Sequence, residues 1–166
     1  MKKAFLLVAM LCLAAFVIAG LDFSGTWVLN QEKTTAANPA PAGGGGGGGG
    51  GRGGGGGMGG GDMTIKMSGT EMTITRMMGG NPMDTKYVLD GKENTYNTGR
   101  GDMKYTANIK GDTVAIESSQ PGRGDAAPVP TKTEYSMSAD GKTLTVATTR
   151  GTGDTQTVRK QIYDKK

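Results

Sequence analysis

The sequence predicts an all-β protein: an antiparallel up-and-down β-barrel of about eight to ten strands, with a disordered glycine-rich loop after the first strand. Three observations predict it. Apolar and polar residues alternate from residue 62 onward, turn dipeptides interrupt that alternation repeatedly, and no segment beyond residue 20 carries an apolar stripe at helical spacing. Side chains that switch faces at each step leave one side of a sheet wet and the other apolar. With no helices to cover the apolar side, the sheet has to cover itself, as a barrel or a sandwich.

The chain opens on Lys2 and Lys3, an apolar run over 4–18, and the small residues Ala19 and Gly20. This is the pattern of a secretory signal peptide over residues 1–20, so a periplasmic or secreted location is expected. The run is shorter than the roughly 20 residues a membrane-crossing helix needs, and no later segment is apolar enough, so no transmembrane anchor is expected. Cys12 follows Leu11 inside the apolar run rather than closing a small-residue box, which argues against a lipid-attachment site. Removal of the leader would leave no cysteine, and the chain has no histidine. Disulfides, thiolate nucleophiles and cysteine-ligated zinc are thereby excluded, and the commonest general base and metal ligand are missing. We therefore expect no enzyme, no catalytic residues, no metal and no cofactor. The formal net charge of +4 loses two positive charges with Lys2 and Lys3. What remains is too small to suggest nucleic acid as a partner, and nothing specifies a protein partner.

Residues 21–166 have the length of a single domain. Within it, 34–61 is expected to be disordered. Residues 34–42 are rich in Ala, Thr and Pro, and 43–61 are all glycine except Arg52 and Met58, a composition that cannot bury apolar surface. A flexible chain as long as the glycine tract spans about 24 Å, enough to cross the mouth of a small barrel.

Strands are expected at 23–30, 62–68, 71–77, 84–89, 94–97, 102–110, 113–118, 131–138, 142–149 and 155–164. Parity tests three hairpins. A two-residue turn at Gly69-Thr70 sets Met67 opposite Met72 and Ile65 opposite Ile74. Gly111-Asp112 sets Ile109 opposite Val114 and Ala107 opposite Ile116. Asp140-Gly141, read as a type I′ turn, sets Met137 opposite Leu144 and Tyr135 opposite Val146. In each case the apolar residues share one face, and Thr64, Lys66, Thr73, Lys104, Thr106, Lys132 and Glu134 fall on the other.

The first strand reads Phe23-Ser24-Gly25-Thr26-Trp27 and the last ends Gln161-Ile162-Tyr163-Asp164-Lys165. The opening resembles the Gly-x-Trp first strand of lipocalins and the Phe-x-Gly-x-Trp start of fatty-acid-binding proteins, and the close resembles the final strand of the latter. The resemblance implies a calycin-like barrel, with a segment after strand one lying over the cavity entrance where the glycine tract stands here. It also implies structural roles for Phe23, Gly25 and Trp27 at a closed end. In fatty-acid-binding proteins an Arg-x-Tyr pair on the last strand holds the ligand carboxylate. The matching positions are Gln161 and Tyr163, with Arg159 two residues earlier on the same side. The turn at 150–154 allows two parities, however. One points Arg159, Gln161 and Tyr163 inward, as the resemblance favours; the other points Val158, Lys160 and Ile162 inward, as hydrophobicity favours.

The inferred inner face carries Tyr87, Tyr105 and Tyr135, whose hydroxyls need partners if the interior is dry. It also carries Met63, Met67, Met72, Met103 and Met137, adaptable side chains that suit either a filled core or a wall for apolar ligands. Met77, Met78 and Met83 fall near one rim. The strings Arg100-Gly101-Asp102 and Arg123-Gly124-Asp125 resemble integrin-binding tripeptides, which a chain this rich in glycine produces by composition. The expected function is an exported, non-enzymatic, calycin-like barrel that takes a small apolar or amphipathic ligand. Arg159, Gln161 and Tyr163 would be its polar anchors, and Tyr87, Tyr105, Tyr135, Met103 and Met137 its wall. The alternative is a structural or envelope-interaction protein with a filled barrel and no small-molecule ligand.

Overall fold

The computed structural model describes residues 21–39, 61–97, 102–120 and 128–166. The expected signal peptide, the glycine tract up to residue 60 and the second Arg-Gly-Asp string lie outside the described residues, as do Arg100 and Gly101 of the first.

Ten strands form one antiparallel sheet: β1 (Gly25–Leu29), β2 (Met63–Ser68), β3 (Glu71–Met78), β4 (Asn81–Val88), β5 (Glu93–Asn97), β6 (Asp102–Lys110), β7 (Thr113–Gln120), β8 (Val129–Met137), β9 (Thr143–Arg150) and β10 (Thr157–Lys165). Their order across the sheet is β4-β3-β2-β1-β10-β9-β8-β7-β6-β5. Consecutive strands therefore pair everywhere except between β4 and β5, and β1 pairs with β10 to bring the first and last strands together. The sheet curls into a nearly closed up-and-down barrel whose seam lies between β4 and β5.

The registers agree with the alternation. Ile65 faces Ile74 and Met67 faces Met72; Ala107 faces Ile116 and Ile109 faces Val114; Tyr135 faces Val146 and Met137 faces Leu144. The turn chemistry of the third hairpin differs from expectation. Among the described residues only glycines have a positive φ, so Asp140-Gly141 is not a type I′ turn, which needs two left-handed residues. Instead the Gly141 amide donates to the Ser138 carbonyl at 2.9 Å, and the loop spans 139–142 at the same parity. The type I′ geometry occurs at Gly79-Gly80, where φ is 58° and 86°, and it extends β3 and β4 beyond their expected ends. Pro82 fits there because β4 is an edge strand and proline has no N–H to lose from a ladder.

One helix stands against the expectation of none. α1 (Gln31–Ala36) starts where the Asn30 side chain accepts the Lys33 amide at 2.8 Å, a standard N-cap. It buries no residue, which is why no apolar stripe announces it. The expected disorder of 34–61 is corrected over 34–39 accordingly: this stretch holds the end of α1 and a turn. Polar groups dock it on the part of β10 that runs beyond the end of β1. Thr34 Oγ1 accepts the Ile162 amide at 2.9 Å. The Asn38 side chain accepts the Lys160 amide at 2.8 Å and donates to its carbonyl at 2.7 Å.

The core lies on the inner face of the barrel: Phe23, Trp27, Met63, Ile65, Met72, Ile74, Tyr87, Leu89, Tyr105, Ala107, Val114, Ile116, Tyr135, Leu144, Val146 and Tyr163. Each fully buried large apolar side chain contributes about 1.5–3 kcal/mol. Met67, Ile109 and Met137 pack against this cluster from partly buried positions. At the end where the chain enters, the Trp27 indole N–H donates to the Phe23 carbonyl at 2.8 Å. The Lys165 ammonium lies 5.3 Å from the centre of the Trp27 ring, a cation–π contact. Gly25, at φ 145°, makes room for it: a Cβ there would stand 2.9 Å from Lys165 Cε.

Candidate functional site in the barrel interior

The alternation that turns Met72 and Ile74 inward on β3 turns Arg76 inward two residues later. A guanidinium thus enters the interior at a position where the pattern leads one to expect another apolar residue. Its Nη2 donates to the Met63 thioether, directly opposite on β2, at 3.3 Å. A thioether is a weak acceptor. The Arg76 Nε is buried and has no hydrogen-bond partner. Among the described residues the ion pairs are Lys33–Asp164, Lys104–Glu93 and Lys132–Glu134, all partly or largely exposed, so no carboxylate among them neutralises Arg76.

Two phenols lie close to the same guanidinium. Tyr163 on β10 and Tyr135 on β8 are both fully buried, and both hydroxyls lack a hydrogen-bond partner. They lie near enough to Arg76 to influence its ionisation, yet no pair among the three meets hydrogen-bond geometry. Burial works against the charged form of Arg76, yet its pKa is not lowered, and a guanidinium keeps its proton at any physiological pH. The cation is therefore permanent. Burial raises the pKa of Tyr163, with Arg76 partly opposing the shift, so its phenol is a neutral donor at any physiological pH. Thr133 is buried on β8, and so is Thr131, whose Oγ1 also lacks a partner. The interior thus holds a strip of polar atoms from Thr131 through Tyr135 and Tyr163 to Arg76. Around it stands an apolar wall that includes Met63, Ile65, Met72, Ile74 and Val146.

A second group of phenols sits at the seam. Tyr87, Tyr96 and Tyr105 come from β4, β5 and β6 and meet edge to face, with centroids 5.2–5.7 Å apart. The Tyr105 hydroxyl accepts the Val88 amide at 2.9 Å, and the Tyr96 hydroxyl donates to the Met103 thioether at 3.1 Å. Burial, then the neighbouring Tyr135 and Tyr96, raises the pKa of Tyr87 beyond the ordinary range of a phenol. These polar atoms are engaged within the protein, unlike those around Arg76.

The last strand takes the parity the resemblance favours. Tyr163 pairs with Leu144 and Gln161 with Val146, and both partners face the core. Of the three anchors expected there, Tyr163 is buried, Gln161 half-buried and Arg159 exposed. Met103 and Met137 are half-buried, and Tyr87, Tyr105 and Tyr135 are buried. Sequence reasoning missed Arg76, although the signal was available: it shares parity with Met72 and Ile74. Beside it, a groove of about 130 Å³ lined by Thr26, Asp62, Met63, Thr64, Thr75, Arg76 and Met77 brings solvent to this stretch of β2 and β3.

No family model and no curated protein sequence matches the chain. Solved structures do match in fold. A secretary abundant heat soluble (SAHS) protein from Ramazzottius varieornatus aligns with a TM-score of 0.54 at 16% identity, over 89% of this chain and 97% of that one. The REP1-NXSQ fatty acid transporter aligns with a TM-score of 0.50 at 15% identity, over 87% of this chain and 96% of that one. At these identities the match speaks for the fold: the barrel is calycin-like, as its two terminal strands suggested.

Proposed function

We propose that this chain is a binding protein, not an enzyme, whose barrel takes a small amphipathic anion. The anionic headgroup sits against Arg76, Tyr135 and Tyr163, and the apolar part lies along Met63, Ile65, Met72 and Ile74. One observation carries this reading: a half-buried guanidinium whose Nε is buried and unpartnered lies near two buried, unpartnered phenols. A buried N–H left without an acceptor costs about 1–3 kcal/mol. A carboxylate or similar anion between these groups converts that cost into charge-assisted hydrogen bonds, each about 1.5–3 kcal/mol. The fold of a fatty acid transporter is compatible with such a ligand, and the absence of histidine from the sequence supports binding over catalysis. The leader-like residues 1–20 support a site of action outside the cytoplasm, checked by the mass of the processed protein.

The test is a titration with a fluorescent long-chain carboxylate and with its uncharged alcohol analogue. Saturable binding that favours the carboxylate, and that Arg76→Met weakens by about tenfold or more, is expected. Equal affinity for both probes, or no effect of Arg76→Met, would remove the headgroup assignment. Absence of any saturable binding would favour the filled-barrel alternative.

A further inference from the structure

The β3–β4 hairpin carries an unusual set of exposed side chains. Met77 is 63% exposed, Met78 53% and Met83 44%, whereas Met63 is 2% exposed and Met72 fully buried. Met83 has a special position. It is the direct cross-strand partner of Arg76, just as Met72 pairs with Tyr87 and Ile74 with Thr85, so Met83 shares the inward parity of Arg76 although it lies at the rim. Directly opposed side chains on one face of an antiparallel pair have Cβ atoms about 4.5–5.5 Å apart. A solvent-exposed thioether therefore stands within side-chain reach of a guanidinium whose Nε has no acceptor.

From this juxtaposition we propose that Met83 is a modification site: oxidation to the sulfoxide supplies Arg76 with an internal acceptor and so regulates anion binding in the barrel. The oxidant is a hydroperoxide. The thioether sulfur attacks the terminal peroxide oxygen, the O–O bond breaks, an S–O bond forms, and the proton of that oxygen passes to the departing alkoxide or hydroxide. Sulfur is oxidised by two electrons and the peroxide is reduced to alcohol or water. The product differs from the thioether in the property that matters here: a thioether sulfur accepts hydrogen bonds weakly, and a sulfoxide oxygen accepts them strongly. Met63 already occupies Nη2 weakly from the other side, so the new acceptor takes the Nε that the ligand headgroup would otherwise use. Sulfoxide reductases reverse the change, which makes the position a switch. The regulatory half of this inference rests on the headgroup reading above; the cross-strand pairing of Met83 with Arg76 does not.

The experiment treats the full chain with hydrogen peroxide and compares it with Met83→Leu and with the double variant Met77→Leu/Met78→Leu. Peptide mass spectrometry is expected to find sulfoxide at Met77, Met78 and Met83 before Met63 and Met72. The Nε–Hε signal of Arg76 in a ¹⁵N spectrum should move on oxidation in the wild type and in the double variant, and stay fixed in Met83→Leu. Affinity for the fluorescent carboxylate should fall about tenfold in the same two proteins. An Arg76 signal that ignores oxidation, or that moves equally in Met83→Leu, overturns the proposal. If the untreated protein binds no carboxylate, the headgroup reading fails and the regulatory half with it, while the Arg76 signal still decides whether oxidised Met83 reaches the guanidinium.

Discussion

The amide of Val88 donates to the hydroxyl of Tyr105 at 2.9 Å, and this bond ties β4 to β6 across the seam that the sheet leaves between β4 and β5. A side chain here stands in for a missing ladder bond. Around it the rings of Tyr87, Tyr96 and Tyr105 meet edge to face, so the seam is held by aromatic contact where other strand pairs are held by backbone pairing.

Tyr105→Phe keeps the ring and deletes the acceptor, leaving the Val88 amide unpaired in a partly buried place. The expected loss is about 1–2 kcal/mol, read as a lower urea midpoint at constant slope. Amide exchange should quicken at Val88 more than in β8 or β9. Unchanged exchange at Val88 would mean that the seam does not depend on this bond.

Arg76→Met should separate stability from binding. Removing a half-buried cation whose buried Nε has no acceptor relieves the cost of that unmade bond, so the ligand-free variant is expected to be more stable than the wild type by about 1–3 kcal/mol. The same change should abolish the preference for charged over neutral probes. A protein that holds a destabilising group at a binding site shows this trade. A variant both less stable and unaltered in binding would mark Arg76 as structural.

Much of this fold was legible because parity is a rigid constraint. Placing Gly69-Thr70 at a turn fixes Met67 opposite Met72, and a slip of one residue would reverse the whole strand. The last strand was ambiguous for a physical reason. Val158 is exposed and Ile162 only half-buried, so the apolar residues of β10 sit on its outer side, where counting hydrophobic residues points the wrong way. The resemblance to calycin ends favours the parity that the structure adopts, with Tyr163 paired between Leu29 and Leu144. α1 was invisible because its attachment is polar: Asn30 and Thr34 announce a cap and a surface contact, not a buried face. Arg76 escaped notice because an arginine in a strand is read by default as solvent-facing, and only strict parity with Ile74 contradicts that.

Alkaline titration examines the interior from another side. Burial raises the pKa values of Tyr87, Tyr96 and Tyr163. A phenol whose folded pKa exceeds its unfolded value contributes stability in full below the unfolded value, about 10, and loses it as pH rises toward the folded one. Absorbance of phenolate should therefore account for fewer than the five tyrosines of the sequence until the barrel unfolds. Stability should fall as pH climbs above about 10. Five tyrosines ionising together near the ordinary phenol value, with the near-ultraviolet dichroism of the folded state intact, would mean a solvent-filled interior.

The polar docking of α1 makes the last prediction. β1 stops at Leu29, so the Lys160 and Ile162 backbone groups on that side of β10 have no strand beside them. Asn38 meets the Lys160 amide and carbonyl with its own amide, and Thr34 meets the Ile162 amide with its hydroxyl, so two side chains do the work of a strand. Asn38→Ala deletes both bonds to Lys160 while leaving the buried core untouched. Amide exchange at Lys160 should rise first, with a stability loss of about 1 kcal/mol because water replaces the lost partners at an exposed site. Binding of the carboxylate probe should persist, since Arg76, Tyr135 and Tyr163 stand on other contacts. If Asn38→Ala instead slowed or abolished probe entry, α1 would belong to the path into the barrel, and its docking on β10 would be a gate as well as an edge cap.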